Sequence, residues 1–374
     1  MIPVARALTD AGADGLCVAT YDEAARLRAA GIGGRITVLY PIPPALATAA
    51  AEEGIAVAAG DGDMLAELLT FVARDAHAGS ARAPLAIELE VETGLGRGGV
   101  AREGIVRAAT EIVTTPGASL AGVWTHLQAA EDSERTAAQV TTFESALREL
   151  AAAGIDVPRR HLAASGGLVL PGVPAYDAVR PGLMIYGILP DELDPSTTVP
   201  LAKGLRPVLS LKAQPVRVAE LPAGHGISYG PTFETGRPSR IATLPLGYGD
   251  GWPRALSNRA EALVRGRRVP LVGNVAMDAV MADVTDVPGP PVGIADEFVL
   301  IGAQQADEIS AQDLARARTT NSWEVLTAMS GRLPRVYHAS STERGVRTLI
   351  SGEDHWLGSN SGMGTSVTSR STPS

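Results

Sequence analysis

Leu85-Ala-Ile-Glu-Leu-Glu-Val91 runs directly into Glu92-Thr-Gly-Leu-Gly-Arg-Gly-Gly99. An apolar β-type run that ends in a glycine-rich turn carrying a single arginine reads as a strand whose C-terminal end opens a loop. Working outward, the same unit recurs. Strand-like runs stand at Gly15–Ala19, Arg35–Tyr40, Ile55–Val57, Leu120–Trp124 and His161–Ala164. Helical stretches rich in alanine fall between them, at Tyr21–Ala30, Pro44–Glu53, Asp63–Ala76, Arg102–Thr114 and Ser133–Ala153. Asp132 or Ser133 is placed to cap the longest of these, and Gly154 to end it. Apolar strands each followed by a helix describe a parallel sheet covered on its outer face. Repetition roughly every 20–35 residues favours a (β/α) barrel over a doubly wound sheet. No Gly-x-Gly-x-x-Gly follows an early strand, which counts against a dinucleotide fold.

Helical periodicity stops near Val199, and β-rich segments punctuated by Pro and Gly follow: Pro207–Glu220, Arg240–Leu246, Ala262–Arg265, Pro270–Val272 and Phe298–Ile301. Two helices interrupt them, about Ala311–Arg316 and Ser322–Met329. The expected organisation is a (β/α) barrel over 1–200, a mostly antiparallel β domain over 201–350, and a Ser/Gly/Thr-rich disordered tail over 351–374. With 374 residues, two domains are the natural outcome.

The chain carries 32 basic and 41 acidic residues, a net charge of −9. That field repels phosphate backbones and argues against a nucleic-acid partner; Arg265-Gly-Arg267-Arg268 reads as a charged hairpin. No apolar run approaches a membrane span, so the chain reads as cytoplasmic. Its lone cysteine, Cys17, sits in an apolar run and reads as a buried small side chain. The six histidines lack metal-ligand spacing, so no metal site is expected. Only two lysines are present, Lys203 and Lys212.

The loops at the strand ends hold the chemistry. Arg97 in the first quoted turn, and His126 in Trp124-Thr-His126, stand where a barrel's substrate contacts collect, although each segment also reads as an ordinary turn. Ala163-Ala-Ser-Gly-Gly167 and Val179-Arg-Pro-Gly-Leu-Met-Ile-Tyr-Gly187 are late loops of the kind that grip a phosphate. Beyond them come two tyrosine-bearing turns, Ile227-Ser-Tyr-Gly-Pro231 and Leu246-Gly-Tyr-Gly-Asp-Gly-Trp252, and the segment Gly273-Asn-Val-Ala-Met-Asp278.

Together, in this order, these segments resemble the alanine racemase family over about Pro3 to Tyr337. The resemblance implies a (β/α)8 barrel with a C-terminal β domain, the cofactor pyridoxal 5′-phosphate, a small amino-acid substrate, and a homodimer that shares its active sites. It implies racemisation of alanine through a pyridoxal-phosphate Schiff base, supplying D-alanine for peptidoglycan. Tyr229 then corresponds to the base on one face of the substrate, given across the dimer, with His126 as its neighbour in the proton network. Arg97 corresponds to the arginine near the substrate carboxylate, and Met277 and Tyr248 to substrate contacts. Ser165, with the backbone of Gly182 and Leu183, matches the phosphate cradle. Arg180 matches the arginine that faces the pyridine nitrogen; as a permanent donor it leaves that nitrogen unprotonated.

Three departures carry consequences. The family's Schiff-base lysine lies on the first barrel strand, before a Tyr-Gly-His-Gly loop. This chain begins just after that loop, which implies a barrel lacking its first strand, no Schiff-base lysine in the chain, and doubtful activity. The alternative reading is a lysine-free, non-catalytic protein that binds the cofactor or an interaction partner. Second, Trp323 stands where the family has a phosphate-reaching tyrosine. Third, Glu90 stands where many members carry a carbamylated lysine, and reads as the partner that orients Arg97.

Overall fold

The computed structural model describes residues 1–77 and 83–339, and beyond them the backbone of three strands, Thr342–Arg347, Asp354–His355 and Ser366–Ser371. The chain divides into two units: Met1–Ile185 with Glu192–Leu205, and Tyr186–Asp191 with Arg206–Ser374.

In the first unit, helices and strands alternate. They are α1 (Ile2–Asp10), β1 (Gly15–Val18), α2 (Tyr21–Ala29), β2 (Arg35–Val38), α3 (Ala47–Glu52), β3 (Ile55–Ala59), α4 (Gly62–His77), β4 (Leu85–Glu90), α5 (Ile105–Thr114), β5 (Ala118–Trp124), α6 (Ser133–Ala152), β6 (Arg160–Ala164), α7 (Ser165–Val169) and β7 (Ala178–Arg180). The seven strands pair in sequence order, every pair parallel, as a nearly closed barrel with β1 and β7 at its ends. Local chemistry sets the helix starts. Thr20 and Glu23 form a reciprocal capping box on α2, and the Asp132 carboxylate accepts from the Arg135 amide at the start of α6.

Successive residues of a strand point to opposite faces, and the two faces of this sheet differ in kind. Outward go Ile36, Val38, Ile55, Val57, Ile87, Leu89, Val123 and Leu162, all buried in one core with Leu27, Leu65, Val72, Ile105, Ile112 and Phe143 of the helices. Inward go the alternate positions: Arg35, Thr37, Ala56, Ala58, Glu88, Glu90, Gly122, Trp124 and His161. Barrel interiors are ordinarily filled by branched apolar side chains. Here the interior is charged and polar, spaced by small residues. Cys17 belongs to this inner side of the end strand β1. It is exposed, contrary to the buried position expected from its apolar neighbours. Leu16 and Val18, which flank it, are the residues that pack on the outer core.

The run Gly94-Leu-Gly-Arg-Gly-Gly99 has the spelling of a dinucleotide loop but follows the fourth strand and turns back on itself. The Glu92 amide donates to Val100 O at 3.0 Å and the Val100 amide to Glu90 O at 2.8 Å. Gly99 has φ +111°, and a Cβ there would stand 2.4 Å from Glu92 N, so only glycine closes this loop.

The second unit consists of β8 (Leu209–Ala213), β9 (Arg217–Leu221), β10 (Ser239–Leu244), β11 (Glu261–Val264), β12 (Arg267–Val272), β13 (Val280–Asp283), β14 (Phe298–Gln304), β15 (Asp307–Ile309), helices α8 (Ala311–Arg318) and α9 (Ser322–Thr327), and β16 (Arg335–Ala339) to β19, the last three being the backbone strands named above. The sheet order is β18-β17-β16-β19-β8-β14-β11-β12-β13-β10-β9 with β15 on β14, antiparallel throughout except for β16–β19. The run Pro207–Glu220 is two strands rather than one. Pro215, which has no amide to give a ladder, separates β8 from β9, and the two join different parts of the sheet. Arg265 and Gly266, both at positive φ, form the two-residue turn of the β11–β12 hairpin; Arg265 is paired with Asp296, and Arg268 with Asp307 and Glu261. The tail over 351–374 lies, apart from β18 and β19, outside the described residues.

Candidate active site

The C-terminal ends of the barrel strands bring together the residues singled out in its sequence. Arg180 closes β7, and its guanidinium is buried among acceptors. Nη2 donates to Thr125 O at 2.8 Å, to Leu162 O at 3.4 Å and to His126 Nδ1 at 3.3 Å; Nη1 donates to His161 Nδ1. The same guanidinium lies 4.6 Å over the Trp124 ring. Burial pulls its pKa down to about 10, with Cys17, Glu90 and Glu88 acting in the opposite sense, so it stays charged at neutral pH.

The donors of Arg180 decide the states of two histidines. A guanidinium cannot accept a hydrogen bond, so Nδ1 of His161 is an acceptor and its proton sits on Nε2. That proton is donated to Glu88 Oε2 at 3.2 Å. Burial lowers the His161 pKa, against the raising pull of Glu88, and keeps the ring neutral. His161 also stacks parallel to Trp124 with 5.9 Å between ring centroids. His126 likewise accepts at Nδ1, and burial followed by the Arg180 and Arg97 charges drives its pKa down to about 4. Glu88 is 1% exposed and also faces Arg35 at 3.4 Å and Arg159 at 3.8 Å.

Arg97 stands 3.8 Å from Glu90 Oε1 and 5.8 Å over the Tyr40 ring. Burial raises the Glu90 carboxyl, offset by Arg97 and Arg180. Gln139 of α6 ties the loops behind these groups together: its amide donates to Thr93 Oγ1 at 2.9 Å and to His126 O at 3.1 Å, and its Oε1 accepts from the Gln128 amide at 2.8 Å. Ser165 is buried, and its Oγ accepts from the amides of Gly182 at 2.9 Å and Met184 at 3.3 Å. The Gly182 amide is therefore taken by Ser165, whereas the hydroxyl proton of Ser165 is directed elsewhere. A Cβ on Gly182 would meet nothing within 4 Å, so the loop is open at that point. The Cys17 residue as a whole is exposed, yet crowding by the barrel wall raises its thiol pKa and Arg180 lowers it. Among the described residues no group of His, Cys, Asp and Glu is arranged to hold a metal ion.

The remaining candidates belong to the second unit. Tyr229 is 77% exposed, Met277 54% and Tyr248 45%. Tyr229 lies between Ser228 (φ +68°) and Gly230 (φ +50°). The Tyr248 amide donates to Ala276 O at 3.0 Å and the Gly249 amide to Met277 O at 2.9 Å, so these two loops are one assembly. Arg332 bridges them, with Nε donating to Asp250 Oδ1 at 2.7 Å and Nη2 to Asp278. Trp323 is partly exposed near the start of α9, next to Ser322, whose Oγ and amide both bind Asp191 at 2.6 Å.

Sequence reading missed Glu88, His161 and Trp124 as members of this cluster, because each was counted as part of an apolar strand. The signal was there. Glu88 and Glu90 fall on one face of a strand whose other face is Leu85, Ile87 and Leu89, and carboxylates in a buried strand demand partners.

The donor set fits pyridoxal phosphate at the barrel end. A buried guanidinium charged at neutral pH, a second arginine, a neutral histidine and a hydroxyl beside an open glycine suit an aromatic acceptor and an anion.

Residues 1–190 match the family profile described as Alanine racemase, N-terminal domain, and residues 208–337 match Alanine racemase, C-terminal domain. The chain is 42% identical over 338 residues to the alanine racemase of Symbiobacterium thermophilum, covering 90% of this chain and 86% of the relative. Among solved structures it is similar to alanine racemase from Bacillus anthracis with bound L-Ala-P, with a TM-score of 0.84, 31% identity, and 93% of this chain and 87% of the other covered. It is also similar to histidine racemase from Leuconostoc mesenteroides, with a TM-score of 0.77, 28% identity, and 88% and 85% covered. Two profiles that together span most of the chain, and this identity over nearly its whole length, establish that the chain belongs to the alanine racemase family of isomerases.

Proposed function

We propose that this chain is an amino-acid racemase that interconverts L- and D-alanine with pyridoxal 5′-phosphate, as a homodimer, and so supplies D-alanine for peptidoglycan. The observation that carries the reading is the charge arrangement at the barrel end, where Arg97 and Arg180 converge around a neutral His126. When bound, the cofactor supplies the conjugated system that makes an amino-acid Cα–H acidic. Arg180, fixed by Thr125 O, Leu162 O and His161 Nδ1, offers a donor that keeps its proton at neutral pH. Arg97, held beside Glu90, binds the amino-acid carboxylate. Ser165 grips the phosphate through its hydroxyl proton together with the Leu183 backbone, while the Gly182 and Met184 amides donate to its Oγ and orient it. His126, neutral above about pH 4, holds a proton on Nε2 without competing for the anion. Tyr229 carries the Cα proton of one face at its Oη, and its exposure suits service to the barrel of a second copy. Met277 and Tyr248, on the same exposed surface, border the substrate side chain.

Neither lysine is assigned a role. Lys203 lies in the turn Pro200–Gly204, and Lys212 lies on β8 with its amine 2.8 Å from Glu297. No barrel strand among residues 1–374 carries a lysine. This supports a second reading, a protein that binds the cofactor without turnover. One experiment separates them. Purified chain is assayed for alanine racemisation and for pyridoxal-phosphate binding, beside Tyr229→Phe. Turnover lost in Tyr229→Phe with binding intact supports the racemase. Binding with no turnover in either protein supports the second reading, and no binding refutes both.

A further inference from the structure

The phenol of Tyr229 is mostly exposed, so packing within the unit does not set its position. Its backbone is held by one side chain. Asn274 is buried, and its Nδ2 donates both hydrogens to consecutive carbonyls, Tyr229 O and Gly230 O, each at 2.9 Å. Its own backbone oxygen accepts from Ser228 Oγ at 2.6 Å, and its Oδ1 accepts from Thr232 Oγ1 at 3.3 Å. Thr232 in turn accepts from Asn258 Nδ2 at 2.9 Å, and Asn258 Oδ1 takes the Gly273 amide at 2.6 Å. Every hydrogen-bonding group of the carboxamide is thereby engaged, and its orientation follows from its donors. Ser228 and Gly230 both have positive φ, a conformation that a serine does not hold without external restraint. The turn 273–278 also carries Met277 and grips the Tyr248 loop through the carbonyls of Ala276 and Met277.

We propose that Asn274 is the positioning residue for Tyr229: its carboxamide clamps the strained 228–230 backbone to the 273–278 turn, and so fixes the phenol relative to Met277 and Tyr248. The proposal rests on the reading of Tyr229 as the proton carrier. An aspartate at 274 keeps the shape but presents acceptors to two carbonyls, which must then separate. A free loop leaves the phenol to sample many positions, and misplacement of a reacting group costs rate even when the group is present.

The test uses the full chain with 3-fluorotyrosine placed, in separate samples, at position 229, 186 or 248, read by fluorine NMR. Asn274→Asp is expected to shift and broaden the residue-229 signal while labels at Tyr186 and Tyr248 stay in place. Thr232→Val, at an exposed residue, removes the bond that orients the carboxamide together with the one that Thr232 accepts from Asn258, leaves both bonds from Asn274 to the 229 and 230 carbonyls in place, and is expected to move the same signal in the same direction by less. An unchanged residue-229 signal in folded Asn274→Asp overturns the proposal. If Asn274→Asp does not fold, an unchanged signal in Thr232→Val overturns it. A second arm measures racemisation in a double-mutant cycle. Asn274→Asp is expected to cost at least ~10-fold in turnover in the parent and nothing further in Tyr229→Phe. A moved fluorine signal without any effect of Tyr229→Phe on turnover sustains the clamp and refutes the functional reading of Tyr229.

Discussion

Replacing Glu88 by alanine removes the acceptor on which the barrel interior is organised. The His161 Nε2 proton, buried and committed by the donation of Arg180 to Nδ1, is left without a partner, which costs about 1–3 kcal/mol. Arg35 and Arg159 lose a carboxylate at 3.4 and 3.8 Å, but both are partly exposed and rehydrate, so each adds only about 0–1 kcal/mol. Removing a costly buried charge returns part of this, and the void left by the side chain takes some back. The net expectation for Glu88→Ala is a loss of about 2–4 kcal/mol of stability. Glu88→Gln keeps the volume and an oxygen for His161, but loses the charge and turns an NH2 toward Arg35 and Arg159, which are partly exposed and rehydrate, so its expected cost is about 1 kcal/mol. Urea unfolding followed by circular dichroism measures both, with the slope checked so that a change in midpoint reports stability. Nitrogen NMR of His161 adds a local readout. In Glu88→Gln the ring is expected to keep its proton on Nε2. A loss below ~0.5 kcal/mol for Glu88→Ala, or equal losses for the two variants, refutes the reasoning.

Two further predictions concern the same interior. His126 has a folded pKa of about 4 against an ordinary value near 6.5, so between those limits the unfolded chain binds a proton that the folded chain does not; stability falls as pH drops from 6.5 to 4. His126→Gln is expected to flatten that slope by at most ~3 kcal/mol across the window, and an unchanged pH profile of urea stability counts against the assigned state. A Cβ on Gly122 would stand 2.2 Å from Glu88 Oε2 and 3.0 Å from Arg159 O. Gly122→Ala is therefore expected to destabilise by about 2 kcal/mol or more in the parent and by clearly less in Glu88→Ala, and equal costs in the two backgrounds show that the crowding lies elsewhere.

The alternation of apolar strands with alanine-rich helices was legible because each local period reports which face meets the core. The outer layer of the first unit could be written down from the sequence. The second unit was harder to read. Its strands are short, β13 and β15 to β19 escaped notice, and Pro215 split a run that looked continuous. Strand order there depends on which distant segment each edge meets, and nothing local encodes that.

For the site, the loop motifs pointed to Arg97, His126, Ser165 and Arg180 in advance, since glycine-rich turns at strand ends are where a barrel leaves backbone and side chains exposed. Cys17 was misplaced for a related reason: apolar neighbours on a strand show that one face is buried and say little about the other. The sequence by itself determined the family, the barrel, and the type of charge that gathers at the strand ends. The tertiary structure alone decided that His161 and Glu88 stand behind Arg180, and that Asn274 holds the backbone of Tyr229. Those partners are separated by 19, 73 and 45 positions along the chain, and a hydrogen bond forms only where the fold brings donor and acceptor within about 3 Å.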